Sequence, residues 1–152
     1  MDAWTEAYLY AAARADHARA EILPRLEAGE NVLCERYLDS SIAYQGFGRG
    51  LGVDAVRALN AFAVGTVMPD RTFYLRLAAE ERERRAEAVG APDRIEAVGA
   101  GFMRRVEEGF EELARLEPAR IEVLDASSPS RELAELVVGR MRELQYTRGD
   151  EG

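Results

Sequence analysis

A short apolar run that stops against two charges constrains this chain most: Val32-Leu33-Cys34, then Glu35-Arg36. Consecutive apolar residues without polar alternation read as a strand buried on both faces, the pattern of a parallel sheet. Ser40, Ser41, Tyr44 and Gln45 follow, and glycine then takes every second position from Gly46 to Gly52. In open α/β sheets, ligands lie beyond the carboxyl ends of strands. A carboxylate and a guanidinium placed there, ahead of polar side chains and a pliable backbone, suit a phosphorylated ligand. The same spacing also fits a strand capped by a surface ion pair and a plain glycine loop.

The flanking sequence alternates helices with strands. Residues 3–29 are helical in pattern, with Trp4, Tyr8, Ala11 or Ala12 and Ala15 near one face. Pro24 should kink this segment or start a fresh turn, and Gly29 should end it. Residues 53–67 read as a second helix with Val56, Leu59 and Ala63 inward, and 72–77 as a second strand. Alternating Glu and Arg over 79–88 suit a solvated helix, which Gly90 and Pro92 break. A long helix follows from about Glu96 to Leu116, with Phe102, Val106, Phe110 and Leu113 at helical spacing. Residues 121–124 make a third strand, and Ser128 and Pro129 start a last helix that turns Leu133, Leu136, Val137, Met141 and Leu144 inward. Residues 147–152 should fray. Strands alternating with helices imply an α/β fold, a parallel sheet with helices on both faces.

Composition narrows the partners. With 152 residues, 47% hydrophobic, the chain fits one globular domain over about 1–146, and no stretch is apolar enough to span a membrane. The net charge of −8 argues against a nucleic-acid or membrane surface as partner. Every fixed cation is an arginine; no lysine occurs, which excludes a Schiff base and the lysine of a phosphate-binding loop. Cys34 is the one cysteine, expected as a buried reduced thiol in a cytoplasmic protein. His17, the one histidine, reads as a helix-surface residue.

The residues Glu35-Arg36-Tyr37, Asp39-Ser40-Ser41, Ala43-Tyr44-Gln45-Gly46 and Gly48-Arg49-Gly50 closely resemble the central motif of bacterial thymidylate kinases. The likeness extends to about Leu144 and implies a P-loop nucleoside-monophosphate-kinase fold. It implies transfer of the ATP γ-phosphate to dTMP, giving dTDP, with Mg²⁺ bridging phosphate oxygens. On the same resemblance, Tyr10 stacks on thymine and Arg14 hydrogen-bonds the base. Arg36 contacts the acceptor phosphate, and Arg94 approaches the transferring group from a lid. Ser41 and Gln45 meet the thymine edge and its surroundings, and Tyr44 lies beside the deoxyribose. Glu35 takes the place of the family aspartate, a tentative Mg²⁺ contact. Arg49 either serves the loop or reaches a phosphate. Family members are usually homodimers, and the helix carrying Val56 to Ala63 could supply the interface.

Four departures stand out. Nothing matches Gly-x-x-x-x-Gly-Lys-Ser/Thr, the loop that cradles ATP phosphates, and the first strands of the fold are missing with it. Glu35 replaces Asp. Arg76 stands where the family commonly has Asp. Glu87 and Val89 fall where many lids carry arginines, although Arg84 and Arg85 lie nearby. A truncated reading frame is the expected explanation for the first, with negligible turnover by this chain alone. The alternative is a non-catalytic nucleotide-binding or interaction protein built on the same fold.

Overall fold

The computed structural model describes residues 1–89 and 99–149. Two of the three expected strands form. β1 (Thr72–Arg76) and β2 (Ile121–Asp125) pair in parallel, from Thr72 opposite Ile121 to Arg76 opposite Asp125. A parallel pair needs a long crossover. Here that crossover carries α5 (Ala79–Val89) and α6 (Ala100–Leu116). The remaining helices are α1 (Ala3–His17), α2 (Leu23–Glu27), α3 (Leu38–Ser41), α4 (Val53–Val64) and α7 (Ser130–Gly149). The chain is thus α/β with a parallel sheet. No helix among the described residues is long and apolar enough to cross a membrane.

The expected strand at 32–34 does not form. Among the described residues the sheet has two strands, and this run pairs with neither. Its side chains still alternate. Val32 and Cys34 pack against the cluster of Ala18, Ile22 and Val67, while Leu33 is 75% exposed. Apolar side chains can bury alternate faces of a run, but only ladder hydrogen bonds make it a strand. Cys34 is therefore half-buried rather than sealed in a sheet. Burial raises its thiol pKa above the ordinary value.

Ala11 is buried as expected, but the rest of the first helix packs one residue out of the expected register. Ala7, Ala11, Arg14 and Ala18 are buried, whereas Trp4 and Tyr8 stay at the surface. Small side chains let α1 approach α4 closely; the aromatic rings stay outside. Pro24 acts as expected, and its effect falls just upstream. Residues Ala18–Ile22 form a wide π-helical turn, because a proline frees the carbonyl four residues before it. His17 is exposed at the end of α1.

The glycine-rich stretch is more helical than its composition suggests. α3 runs directly into a second wide turn, Ile42–Gly48, so Gly46 and Gly48 are helical and not loop. Gly48 is required by contact, since a Cβ there would lie 2.7 Å from Phe102 and 2.8 Å from Val106. Gly109 on α6 answers it: a Cβ there would lie 2.8 Å from the Phe47 ring. Two missing side chains let the wide turn and α6 interlock. Only at Gly50 and Gly52 does the backbone enter positive φ and leave the helix.

The main core joins α3, α4, α6 and β2 through Leu38, Ile42, Val56, Val64, Leu113 and Ile121. A buried charge network pins it. Arg120 donates to both carboxylate oxygens of Asp39 at 2.7 and 2.8 Å, to Thr72 Oγ1 at 3.0 Å and to Glu117 at 2.8 Å. This ties the first turn of α3 to the starts of both strands. Burial alone would lower the Arg120 pKa, but the two carboxylates outweigh it and hold the guanidinium protonated.

α6 starts at Ala100, and its Phe102, Val106 and Leu113 are buried as the spacing predicts, while Phe110 is half-buried. On α7, Leu136 is 41% exposed rather than inward, and Arg140 reaches Glu122 of β2 at 2.9 Å. That helix continues through Gly149, past the start of the expected frayed tail.

Candidate functional site

The segment between the 32–34 run and α3 carries a backbone anomaly. Arg36 has φ +58°, the one non-glycine residue with positive φ among the described residues. An arginine in the left-handed region costs roughly 1–2 kcal/mol against its relaxed conformation, and such strain concentrates at functional positions. Its guanidinium carbon lies 5.3 Å from the centroid of the Tyr44 ring. Glu35 beside it is exposed.

The wide turn supplies the ring. Tyr44 sits edge-on to Phe102 at 6.1 Å and to Phe110 at 6.4 Å, and Phe110 stacks on Tyr74 at 5.0 Å. Burial raises the Tyr74 hydroxyl above its ordinary pKa. Four aromatic rings from the wide turn, β1 and α6 thus form one row. A π-helical turn advances its side chains less per residue than an α-helix, and such turns recur at functional sites.

Behind Arg36 the chain is anchored by Arg14. This residue is 9% exposed, donates to Asn60 Oδ1 and donates to the Tyr37 carbonyl at 3.1 Å. It also faces the Tyr37 ring at 5.7 Å. Burial pulls its pKa down from the ordinary guanidinium value, although Tyr37, Cys34 and Asp39 nearby oppose this. Asn60 is 1% exposed and donates to the Val56 carbonyl at 2.8 Å, so its amide is satisfied at both ends. The buried Arg14 therefore holds the residue that follows Arg36. Tyr37 in turn donates its hydroxyl to the Val67 carbonyl at 3.2 Å.

A second cluster lies on the other side of Tyr44. Gln45 is 3% exposed and donates from Nε2 to Glu6 Oε1 at 2.9 Å. Arg49 donates to the same carboxylate from Nε at 3.2 Å and from Nη2 at 2.9 Å. Its guanidinium also lies 4.7 Å over the Phe102 ring. Burial would raise the Glu6 pKa, but its bonds to Arg49 and Gln45 more than offset this and hold it below the ordinary 4.5. In this structure Arg49 is engaged by Glu6 and by the Phe102 ring.

Of the residues expected from the sequence, Arg36, Tyr44, Gln45 and Arg49 come together along the wide turn and its approach. Arg14 lies beneath Tyr37. Tyr10 stands one turn before it, 54% exposed on α1. Ser41 is buried on α3. Arg94 lies outside the described residues, as does the rest of the expected lid segment at 93–96. Glu6 and Asn60 were not legible as site residues. Glu6 had one available signal, since Glu6, Tyr10 and Arg14 recur at intervals of four on one helix stripe.

Comparison with known proteins then fixes the family. The thymidylate kinase family model matches residues 1–137. The chain belongs to the thymidylate kinase family. It is 44% identical over 140 residues to a thymidylate kinase of Bacillus pumilus, covering 91% of this chain and 66% of that protein. It is 46% identical over 127 residues to one of Exiguobacterium sibiricum, covering 84% of this chain and 60% of the relative. A solved thymidylate kinase from Ehrlichia chaffeensis superposes with a TM-score of 0.69 at 28% identity, covering 90% of this chain and 65% of that one. The chain therefore spans about two thirds of the length of the thymidylate kinases it matches.

Proposed function

We propose that this chain provides the monophosphate-binding part of a cytoplasmic thymidylate kinase, which moves the ATP γ-phosphate onto dTMP to give dTDP. One observation carries the reading: a strained, exposed arginine held over a tyrosine ring, within a motif shared with a family named for that reaction. The acceptor is a phosphate monoester whose second pKa near ~6 leaves it largely ionised at neutral pH. No general base is needed. The task is positioning and charge neutralisation, for which a planar guanidinium can grip two phosphate oxygens together.

In this reading Arg36 takes the dTMP phosphate, and Tyr44 orients Arg36 while standing beside the deoxyribose. Tyr10 stacks on thymine from the exposed side of α1. Arg14, Ser41 and Gln45 supply polar contacts to the base and its surroundings. Arg94 approaches the transferring phosphoryl group. Mg²⁺ keeps several waters and usually takes one or two carboxylates besides phosphate oxygens. Glu35 fits that role as a single exposed carboxylate; no group of three potential metal ligands occurs among the described residues. Bound with ATP, the ion would neutralise charge on the phosphates. A glycine-rich cradle ending in Lys-Ser/Thr does not occur in these 152 residues, so the role of this chain lies on the acceptor side of the transfer.

A homodimer is part of the same proposal. Phe62 on α4 is 85% exposed, and Trp4, Tyr8 and Leu9 are exposed on the adjoining α1. Light scattering on wild type and Phe62→Glu tests it: a dimer that dissociates in the variant supports it, and a monomeric wild type contradicts it.

Calorimetric titration with dTMP, dCMP and dGMP tests the site itself. Saturable binding of dTMP with at least ten-fold preference supports the reading. Equal binding of all three, or of none, contradicts it.

A further inference from the structure

The acceptor-side arginine is held by a ring rather than by a carboxylate, so whatever fixes the ring also fixes the arginine. Among the described residues, the Tyr44 ring faces the Arg36 guanidinium at 5.3 Å and no ion pair does. Tyr44 is placed by Phe102, 6.1 Å away at an interplanar angle of 65°. Phe102 is covered on another side by Arg49 at 4.7 Å. Arg49 is fixed by the Glu6 carboxylate through two N–H bonds. The neighbour of Tyr44 in the chain, Gln45, is bonded to the same Glu6. Two routes therefore run from Glu6 to Tyr44, one through space and one through the backbone.

We propose that Glu6 is a positioning residue that sets the orientation of Arg36 through the Arg49–Phe102–Tyr44 stack and fixes the Gln45 amide directly. The carboxylate accepts three N–H bonds from two side chains of the wide turn and its end, 39 and 43 residues away in sequence. Glu6 is 21% exposed and Arg49 38% exposed at their side chains, so solvent weakens this pair less than it would one on the open surface. Stacking a guanidinium on Phe102 also limits the ring positions open to Tyr44, because aromatic rings pack edge-to-face in few arrangements. An amide is planar, so with Nε2 committed to Glu6, Gln45 turns its carbonyl oxygen the other way. That oxygen is a hydrogen-bond acceptor. Where the functional reading holds, this acceptor suits a pyrimidine bearing an N3–H, as in thymine, and not cytosine, whose N3 accepts.

The test has a ligand-free arm and a ligand arm. In the first, NMR follows the Arg36 and Arg49 Nε–H groups, the Gln45 amide and the Tyr44 ring in wild type, Glu6→Gln and Glu6→Asp. Glu112→Gln, which breaks an exposed pair with Arg115, serves as the control. The expected result is that Glu6→Gln shifts or broadens all four signals, that Glu6→Asp does so less, and that the control moves none. Response of Gln45 and Arg49 without Tyr44 and Arg36 overturns the proposal. If Glu6→Gln fails to fold, Arg49→Leu breaks the same link, and unmoved Tyr44 and Arg36 signals there also overturn it.

The second arm rests on the proposed function. Glu6→Gln should weaken dTMP about ten-fold, the scale of one charge-assisted hydrogen bond, and should narrow the preference for dTMP over dCMP. An unchanged affinity and an unchanged preference overturn the proposal. Failure of wild type to bind dTMP strikes the functional reading instead, and the ligand-free arm then decides the role of Glu6.

Discussion

Arg36 and Tyr44 lie eight residues apart, yet the guanidinium of one sits 5.3 Å from the ring centroid of the other. The contact depends on a left-handed backbone at Arg36 and a widened helical turn at Tyr44. Both are locally unfavourable for the residues that carry them.

Arg36→Gly separates stability from binding. Glycine accepts φ +58° without steric cost, so the variant should be more stable by about 1 kcal/mol in urea unfolding. Its dTMP affinity should fall about ten-fold or more, since a charged donor is lost. A variant destabilised by the change would refute the strain.

Asn60→Ala should be costly although Asn60 touches no candidate ligand. It removes the side-chain acceptor from the buried Arg14 guanidinium and leaves that charge held by the Tyr37 carbonyl. A loss of about 2–4 kcal/mol in denaturant unfolding is expected, the scale of stranding a buried charged group. A change under about 0.5 kcal/mol, typical of surface substitutions, would mean that the bond does not contribute.

The interlock between the wide turn and α6 has its own check. Gly48→Ala and Gly109→Ala each place a methyl within 3.0 Å of ring or valine carbons, so each should destabilise by about 1–3 kcal/mol. Gly101→Ala on the same helix meets only Arg105 Nη1, at 3.8 Å, and should stabilise by up to about 1 kcal/mol. Similar effects at all three positions would argue against the close packing.

Much of the fold was legible because its signals are local. The apolar spacing of Phe102, Val106 and Leu113 marks α6, and the β-rich run at Thr72 marks β1. The strand expected at 32–34 does not form because strand formation depends on a paired neighbour, which three residues do not encode. The α1 pattern finds Ala11 but not the rest of the register, because Trp4 and Tyr8 look like core residues, whereas the close approach of two helices selects Ala7. Within the site, Arg36, Tyr44 and Gln45 stand in one contiguous motif. Glu6 and Asn60 meet their partners only across 39 to 46 residues of chain. No local pattern encodes such pairs.

Acid should reveal the Glu6 cluster. The folded Glu6 pKa lies below 4.5 because Arg49 and Gln45 outweigh the effect of burial. Between the two values the unfolded chain binds more protons, so stability falls as pH falls. The cluster's contribution is complete above about pH 4.5 and is lost as pH drops through the lower folded value. The difference in unfolding midpoint between wild type and Glu6→Gln should therefore shrink toward zero with acid. A gap that persists unchanged through that range would contradict the assignment.

In the proposed function Arg36, held over Tyr44, receives a nucleoside monophosphate. Calorimetric titration of dTMP into wild type and Arg36→Ala tests it most directly, with thermal unfolding to confirm that both are folded. Saturable binding by wild type with a raised unfolding midpoint is expected, with a loss of about ten-fold or more in folded Arg36→Ala. Equal dTMP affinity in the two proteins would contradict it.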